Sequence, residues 1–403
     1  MLLQIILACI SGIFAGIITG LTPGLHINLV AVVVLGMAGS ALSSFEPITL
    51  AAFITAMSVT HTFVDFIPSI LLGAPDENTA LAVLPGHVLL KRGLAYEGIR
   101  ISSAGTLTGM LATLACVPFL LFLVPFIFSR LQTVIGFLLL GILAFMIARE
   151  STWQRRMWSL LIMTLAGILG LIVFSMHDIK QPLLPMLSGL FGTAILLNSL
   201  SQQAKIPTQR VTEMIKISNL SMIKATSAGT LSGSLVSIFP GLGPAQAAII
   251  SSQFFRHIGI YSYLFMMGAI GASSMVMGFV TLMTIEKARN GTVAAIAELL
   301  ATPTWHGIGL LFAVMLLVSG MAVRITLYLS RMLANTLGRM NYTLVSLGVI
   351  LFIAAMVIYF ESWKGLLILA TATAIGLVPN LTGVGRNNGM AAIIVPVILY
   401  LIL

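Results

Sequence analysis

Helix-breaking residues recur in one fixed pattern inside two apolar stretches of the chain. The pattern Gly-x3-Gly-x6-Pro-Gly-Leu spans residues 12–25 and returns at residues 229–242. Proline removes a helix hydrogen bond and glycine frees the backbone, so each Pro-Gly pair is expected to open a helix in mid-span and leave backbone groups unpaired. Two matched breaks of this kind indicate a transport site.

Each break begins a new half-helix that is accompanied by polar residues. A helix start offers free N–H groups and the positive end of the helix dipole, so two starts that face each other can hold a carboxylate without a basic side chain. We expect His26 and Asn28 after the first break, and Gln246 after the second, to supply directional hydrogen bonds. The alternative is that both breaks are kinks bridged by neighbouring Ser and Thr side chains.

An acidic residue stands in the middle of another apolar stretch. A charge at the centre of a spanning helix costs about 2.5 to 3.5 kcal/mol, so Asp65 requires a partner or a wet cavity. His61 precedes it by four residues, and this spacing places both on one helix face, as a proton-sensitive pair or a cation site requires. We predict His61 and Asp65 as ion-coupling residues, with Asp76 and Glu77 as further candidates. The alternative for these acids is a structural role in capping or pairing.

The elements that must position these residues are membrane helices. The chain has 403 residues, of which 59% are hydrophobic and 8% charged, against about 25% charged in an ordinary soluble domain. Apolar segments are expected at residues 3–21, 24–43, 47–74, 101–127, 131–148, 157–176, 183–200, 225–255, 262–285, 305–329, 342–360 and 363–403. The sequence thus predicts an all-α integral membrane protein with about ten to fourteen transmembrane or re-entrant helices, some broken by Pro-Gly near the midplane.

The recurring pattern divides this single membrane unit into an N-terminal repeat, residues 1–210, and a C-terminal repeat, residues 211–403. Duplicated transporters place substrate where their repeats meet near the bilayer midplane. We prefer inverted repeats, although these need an odd number of spans between the two patterns and the sequence does not fix that number. A rival match between residues 103–109 and 227–233 is interpreted as helix packing, because small residues at every fourth position allow close approach anywhere in a membrane.

The net charge of +9 has an explanation that needs no nucleic acid. The basic residues fall in short loops, as the positive-inside rule describes, and the clusters at 149–156 and 205–224 are separated by two apolar segments, so both can face the cytoplasm. A further polar break spans residues 379–388. Its Arg386 is interpreted as a cytoplasmic loop charge, with contact to an anionic substrate as the alternative.

Templates for enzymatic chemistry are absent from the sequence. It contains no Gly-x-Ser-x-Gly, His-Glu-x-x-His, Walker or Cys-x-x-Cys pattern. Cys9 and Cys116 lie in apolar runs and suggest neither a disulfide nor a metal site. We therefore expect no enzyme activity, no cofactor and no bound metal. Active transport must then draw on an ion gradient, with H+ or Na+ as coupling ion, or on another subunit.

The same residues resemble a known family over most of the chain. Four elements carry the resemblance: both Gly-x3-Gly-x6-Pro-Gly-Leu elements, the Leu-Gly-Ala-Pro run at 72–75 and the Lys-Arg-Gly series from residue 91. Together they resemble the large membrane subunit of tripartite tricarboxylate transporters, the TctA family. By position, the substrate-site loops of that family fall on Pro23, Gly24, Leu25, Gly73, Pro75, Pro240, Gly241 and Gly243.

The resemblance implies a permease of the prokaryotic plasma membrane that takes up a carboxylate by proton or sodium symport. It also implies an extracytoplasmic solute-binding protein and a small membrane subunit as partners; the oligomeric state, a homo-oligomer included, stays open. His26, Asp76 and Glu77 stand where the family has small or hydroxyl residues, and the added acids favour a smaller or less anionic substrate, or tighter cation coupling.

Other functions fit the same residues. Helix starts bind phosphate as readily as carboxylate, so a polyprenyl- or lipid-phosphate translocase is the first alternative. A non-transporting membrane scaffold and a lipid-modifying enzyme are the others.

Overall fold

A computed structural model describes residues 2–22, 27–38, 42–74, 79–131, 133–179, 181–201, 207–212, 217–239, 243–254, 259–337 and 342–402. Every regular element in these residues is helical, which confirms the all-α prediction. The helices are α1 (Leu2–Leu21), α2 (Ile27–Ala38), α3 (Pro47–Val64), α4 (Phe66–Leu71), α5 (Val83–Lys91), α6 (Ala95–Leu131), α7 (Ile135–Ala148), α8 (Trp153–Ser175), α9 (Leu183–Leu187), α10 (Ala194–Ser201), α11 (Asn219–Val236), α12 (Pro244–Phe254), α13 (Ile260–Ile285), α14 (Gly291–Leu300), α15 (Trp305–Leu337), α16 (Tyr342–Thr382) and α17 (Ala391–Ile402). Two short 3-10 helices, Ala80–Ala82 and Arg386–Met390, and one π-helix, Ser188–Thr193, complete the described elements.

Seven helices in the described parts of the chain are long and apolar enough to cross a membrane. They are α1, α3 continued by α4, α6, α8, α13, α15 and α16. Shorter apolar helices of 10–17 residues, such as α7 and α14, accompany them. The chain is therefore a multi-pass membrane protein. The predicted ten to fourteen helices and the internal repeats are not confirmed by these seven and stay predictions.

The longest helix, α16, is two helices joined at a sharp turn. Its 41 residues would measure about 60 Å as a straight helix, twice the thickness of a hydrocarbon core. Ser362 interrupts it with φ 56° and ψ −157°. A Cβ at Gly365 would meet the side chain of Val357, which a straight helix would hold about 12 Å away. The chain doubles back here, between the apolar segments expected at 342–360 and 363–403.

The glycine stripe of the first pattern packs α1 against α3. Its glycines meet α3 in the same order along both helices: Gly12 at Phe53, Gly16 at Met57 and Gly20 at Val64. Glycine allows this approach because a Cβ at each position would collide with the neighbouring helix. Since α1 and α3 run in the same direction, the chain between them must return, and α2 lies on that return.

The second pattern packs in the same way. Gly229 and Gly233 of α11 meet α13 at Ala269 and Ile270, again in parallel order. A second glycine stripe, on α6, covers another side of α13, where Gly105 meets Phe265 and Gly109 meets Ala269. The structure thus gives residues 103–109 and 227–233 the packing role that was predicted for them.

The two glycine-packed units run in opposite directions. Midway along α3, Thr62 contacts α13 near Gly271. Nearer the C-terminal end of α3 and its continuation α4, Ile70 of α4 contacts Gly98, and so does Leu264 in the first turns of α13. Because later residues of α3–α4 meet earlier residues of α13, the two helices are antiparallel.

A further set of helices is also locked by glycines. Gly189 and Gly376 bring the π-helix against the second half of α16, where the Thr193 and Thr373 hydroxyls lie 2.6 Å apart. Gly170 brings α8 against α17 in the same way. Next to the turn in α16, Lys364 donates to Asp178, and this hydrogen bond lowers the pKa of the exposed Asp178 carboxyl.

Basic residues gather at the opposite end of these helices. The main-chain N–H of Arg210 donates to Gly93, directly after Arg92, at 2.8 Å. At the same end, Arg155 of α8 approaches Gly383, which follows α16. We call this the basic end, and the positive-inside rule leads us to expect that it faces the cytoplasm.

Candidate functional site

Nine predicted site residues lie outside the described residues: Pro23, Gly24, Leu25, His26, Pro75, Asp76, Glu77, Pro240 and Gly241. Asn28 is placed in α2, with its side chain outside the described part. The roles of these ten stay predictions. The structure describes the remaining five, which are His61, Asp65, Gly73, Gly243 and Gln246.

His61 joins α3 to the helix of the first glycine pattern. Its Nδ1 lies 3.1 Å from Oγ1 of Thr19, and both side chains are buried. The Thr19 hydroxyl also donates to the carbonyl oxygen of Gly16 at 3.3 Å. Which of the two atoms donates in the pair with His61 follows from the tautomer of the imidazole.

Asp65 lies among hydroxyl groups where α3 passes into α4. Thr79 Oγ1 donates to Oδ2 of Asp65 at 2.8 Å, and Ser69 Oγ lies 3.5 Å from Oδ1. The two hydroxyls are 2.6 Å apart, and all three residues are buried. Carboxylate and hydroxyl oxygens together suit a proton or a hard cation better than an organic anion. The backbone bond from Asp65 N to His61 O, 2.9 Å, keeps the two predicted coupling residues one turn apart.

Gly73 follows α4 in a left-handed conformation, with φ +67°, which glycine adopts without strain. A Cβ there would lie 2.6 Å from Nε2 of His87. Glycine is therefore required at position 73 by the left-handed backbone conformation and by the close approach of the His87 ring. His87, on α5, is 3% exposed, and neither of its ring nitrogens has a partner among the described residues.

Gln246 caps the helix that starts after the second break. Its Oε1 accepts from the N–H of Gly243 at 2.9 Å, which is the return bond of a capping box. The Gly243 N–H is thus already satisfied within the chain. Because a backbone N–H can only donate, the amide oxygen of Gln246 must face it, and Nε2 points elsewhere. That nitrogen is buried and has no partner in the described parts of the chain.

Four elements that depart from regular long helices meet near the basic end. The π-helix contacts both 3-10 helices, and α12 contacts both as well. Irregular backbone at membrane depth is tolerated only where it is buried in protein or lines a cavity. Local π-helices are also frequent at functional sites.

A cavity of about 350 Å³ lies where these elements meet. Its wall is mostly apolar and includes Leu81, Phe191, Ile195 and Tyr263. Arg386 is the one charged residue among the described residues that line it. A second cavity of about 330 Å³, lined by Arg149, Glu150 and Asn388 among others, is adjacent, and Asn387 lines both.

Arg386 is held on one side and has free donors on the other. Its Nε donates to Oδ1 of Asn380 at 2.6 Å, whereas its Nη1 is buried without a partner in the described structure. Since arginine only donates, the amide oxygen of Asn380 faces it, and Nδ2 of Asn380 is left without a partner, as is Nδ2 of Asn388. Arg386, interpreted from the sequence as a cytoplasmic loop charge, thus lies in a 3-10 helix and is partly buried on the cavity wall. Its contact with an anionic substrate, the alternative, stays a prediction.

Comparison with known proteins decides the family. The family described as "Tripartite tricarboxylate transporter TctA family" matches residues 6–390. The chain belongs to the TctA family. It is also similar to an uncharacterized protein of Methanocaldococcus jannaschii, with 28% identity over 406 residues that cover 98% of each chain. No solved structure matches the chain.

Membership of the TctA family identifies the chain as a membrane-embedded component of a tripartite transporter family. The described residues hold no group of three or more His, Cys, Asp or Glu side chains that could bind a metal ion. Two buried groups near the cavity were not selected from the sequence as site residues, Asn388 and His87. Asn388 ends the polar break at 379–388, which was given no site role except through Arg386, whereas His87 stands alone in the sequence and only packing places it near the cavity.

Proposed function

We propose that this TctA-family chain is a secondary active transporter that moves a small organic anion in symport with protons or sodium ions. The observation that carries the proposal is the set of buried donors without partners near the meeting point of the irregular elements: Arg386 Nη1, Asn380 Nδ2, Asn388 Nδ2 and Gln246 Nε2. All four are N–H groups, and buried donors without acceptors are costly unless a ligand supplies the acceptor. A carboxylate supplies several acceptor positions at once.

The directions of the helices support a transport cycle. The α1–α3 unit and the α11–α13 unit are each built on a glycine-packed parallel pair, and the two units run in opposite directions. Transporters with inverted repeats have this arrangement, and they bind substrate where the repeats meet. We therefore propose inverted repeats centred on the α1–α3 and α11–α13 units.

Asp65 is the proposed coupling residue. The carboxylate contacts two hydroxyl groups, and Thr79 connects it directly to the 3-10 helix Ala80–Ala82. That helix lines the cavity through Ala80 and Leu81. A proton or sodium ion on Asp65 thus acts within a few residues of the substrate wall, which is the proximity that coupling requires. His61 holds the same helix against α1.

Partners follow from the family. We propose that an extracytoplasmic solute-binding protein delivers the substrate and that a small membrane subunit completes the transporter, as the tripartite family implies. The prokaryotic plasma membrane is the proposed location.

Uptake into proteoliposomes tests the proposal. The purified chain, with and without the two accessory subunits, is supplied with radiolabelled mono-, di- and tricarboxylates under an imposed pH gradient, a sodium gradient, both or neither. We expect accumulation of at least one carboxylate only when a gradient is present. Failure of every carboxylate under every gradient, with both subunits included, contradicts the proposal. Flipping of a polyprenyl phosphate in the same vesicles would support the alternative.

A further inference from the structure

The cavity at the basic end combines one cation with an apolar wall. The other described residues of its wall include Leu81, Phe191, Ile195 and Ile260, which offer no hydrogen bonds from their side chains. Tyr263 adds a large aromatic ring. Such a site recognises a ligand with a polar end and an apolar body, because each part meets matching chemistry.

Arg386 is positioned to bind one anionic group. The bond from Nε to Asn380 fixes one edge of the guanidinium, and the buried Nη1 on the remaining part has no partner among the described residues. The amide of Asn380 carries a second free donor next to it. A carboxylate that takes up these donors forms charge-assisted hydrogen bonds, which are stronger than bonds between neutral groups.

The number of charges limits the ligand. The described wall of this cavity contributes one positive charge and no negative one. One carboxylate neutralises Arg386, whereas a second or third would be transferred from water to an apolar surrounding without a counter-charge. The cavity volume of about 350 Å³ also lies at the lower end of ligand pockets, which suits a small molecule.

We infer that the substrate is a small monocarboxylate with an apolar body, bound by Arg386 at its carboxylate and by the Leu81, Phe191 and Tyr263 side of the cavity at its other end. This inference rests on the proposed transport function and narrows its substrate class away from tricarboxylates.

Binding to the purified full-length protein in nanodiscs tests the substrate class. The probes are hexanoate, adipate, citrate and farnesyl phosphate. Hexanoate and adipate have carbon chains of the same length, but hexanoate ends in a methyl group where adipate has a second carboxylate. We expect hexanoate to bind at least tenfold more tightly than adipate or citrate. Tighter binding of adipate, citrate or farnesyl phosphate overturns the inference.

Variants locate the site. Arg386→Gln is expected to reduce hexanoate binding at least tenfold and Arg386→Lys less, while the same exchange at the exposed Arg155, Arg155→Gln, leaves it unchanged. Leu81→Lys adds a second cation and is expected to shift the preference toward adipate. The expected gain in adipate binding is measured in Leu81→Lys itself, so it does not depend on whether Arg386→Gln folds. Wild-type affinity in Arg386→Gln, or an unchanged preference in Leu81→Lys, contradicts the assignment.

The two levels of the proposal fail separately. Gradient-driven uptake of citrate with weak binding of hexanoate leaves the transport function intact and overturns the monocarboxylate. Tight binding of hexanoate that depends on Arg386, without uptake of any carboxylate, supports the site and contradicts the transport function.

Discussion

At the scale of single residues, two buried or partly buried charges stand out, and the sequence favoured a functional role for Asp65 while leaving one for Arg386 as the alternative. Asp65 is conspicuous because an acid inside a long apolar run is costly, and the structure places it among the hydroxyls of Ser69 and Thr79. Arg386 stands in a stretch rich in Gly and Asn, which has the composition of a loop. Only the packing of the 3-10 helix against the π-helix turns it into a cavity residue. Tertiary contacts of this kind leave no local pattern.

The exchange Asp65→Asn tests ion coupling at this scale. Asparagine keeps the size of the side chain but cannot take up a proton or balance a sodium ion, so the dependence of uptake on pH or sodium is expected to flatten. The measurement is the initial rate of carboxylate uptake in proteoliposomes over a pH series and a sodium series.

The matched control is Glu361→Gln. Glu361 is equally buried, at 3% exposure, and accepts from the main-chain N–H of Gln181 at 2.6 Å. It lies at the turn of α16, and the whole second arm of that helix separates it from Arg386. This variant is expected to keep the wild-type ion dependence. A wild-type profile in Asp65→Asn would assign Asp65 to structure.

At the scale of elements, the sequence predicted where helices lie better than how they are joined. The apolar segment expected at 342–360 corresponds to the first arm of α16, and the turn falls directly after it at Ser362. The segment expected at 363–403 contains the second arm of α16, the 3-10 helix Arg386–Met390 and α17. The turn itself could not be predicted, because Ser362 is neither proline nor glycine. Its positive φ accompanies the close packing of the two arms, where Gly365 approaches Val357.

Ser362→Gly tests the turn of α16. A non-glycine residue at φ 56° and ψ −157° carries strain of about 1 to 3 kcal/mol, and glycine removes it at an entropic cost of about 0.4 to 1 kcal/mol. The net gain is expected to raise the thermal midpoint in detergent by about 1 to 2 °C.

Gly365→Ala is the opposite test on the same turn. Its new Cβ would lie 2.5 Å from the Cβ of Glu361, so this variant is expected to lower the midpoint. A lower midpoint for Ser362→Gly would contradict the strained turn.

At the scale of the whole molecule, the positive-inside rule and the structure agree on one basic end. The direction of α11 relative to α1 could not be predicted, because it depends on how many segments between the two patterns cross fully. The structure supplies it through the antiparallel contacts of α3–α4 with α13.

Cysteine labelling tests which end faces the cytoplasm. Ser151 and Asp178 are exposed at the two ends of α8, whose 23 residues measure about 35 Å. In a variant with Cys9→Ser and Cys116→Ser, we expect Asp178→Cys to react with an impermeant maleimide in intact cells. We expect Ser151→Cys to react only after lysis. The reverse pattern would invert the assigned orientation.

The cavity wall is shared between two bodies that glycine contacts make stiff. Ile260 and Tyr263 belong to α13, which is locked to α6 and α11, whereas Phe191 and Ile195 belong to the π-helix and α10, next to the locked α16 arm. Where a glycine brings the backbone of a neighbouring helix this close, sliding one helix along the other by a single residue would make side chains collide with the main chain. We therefore expect relative motion at the boundary between the two bodies, and the proposed substrate cavity lies at that boundary. A rocking of one body against the other would open the cavity to alternate sides of the membrane while every glycine contact stays closed.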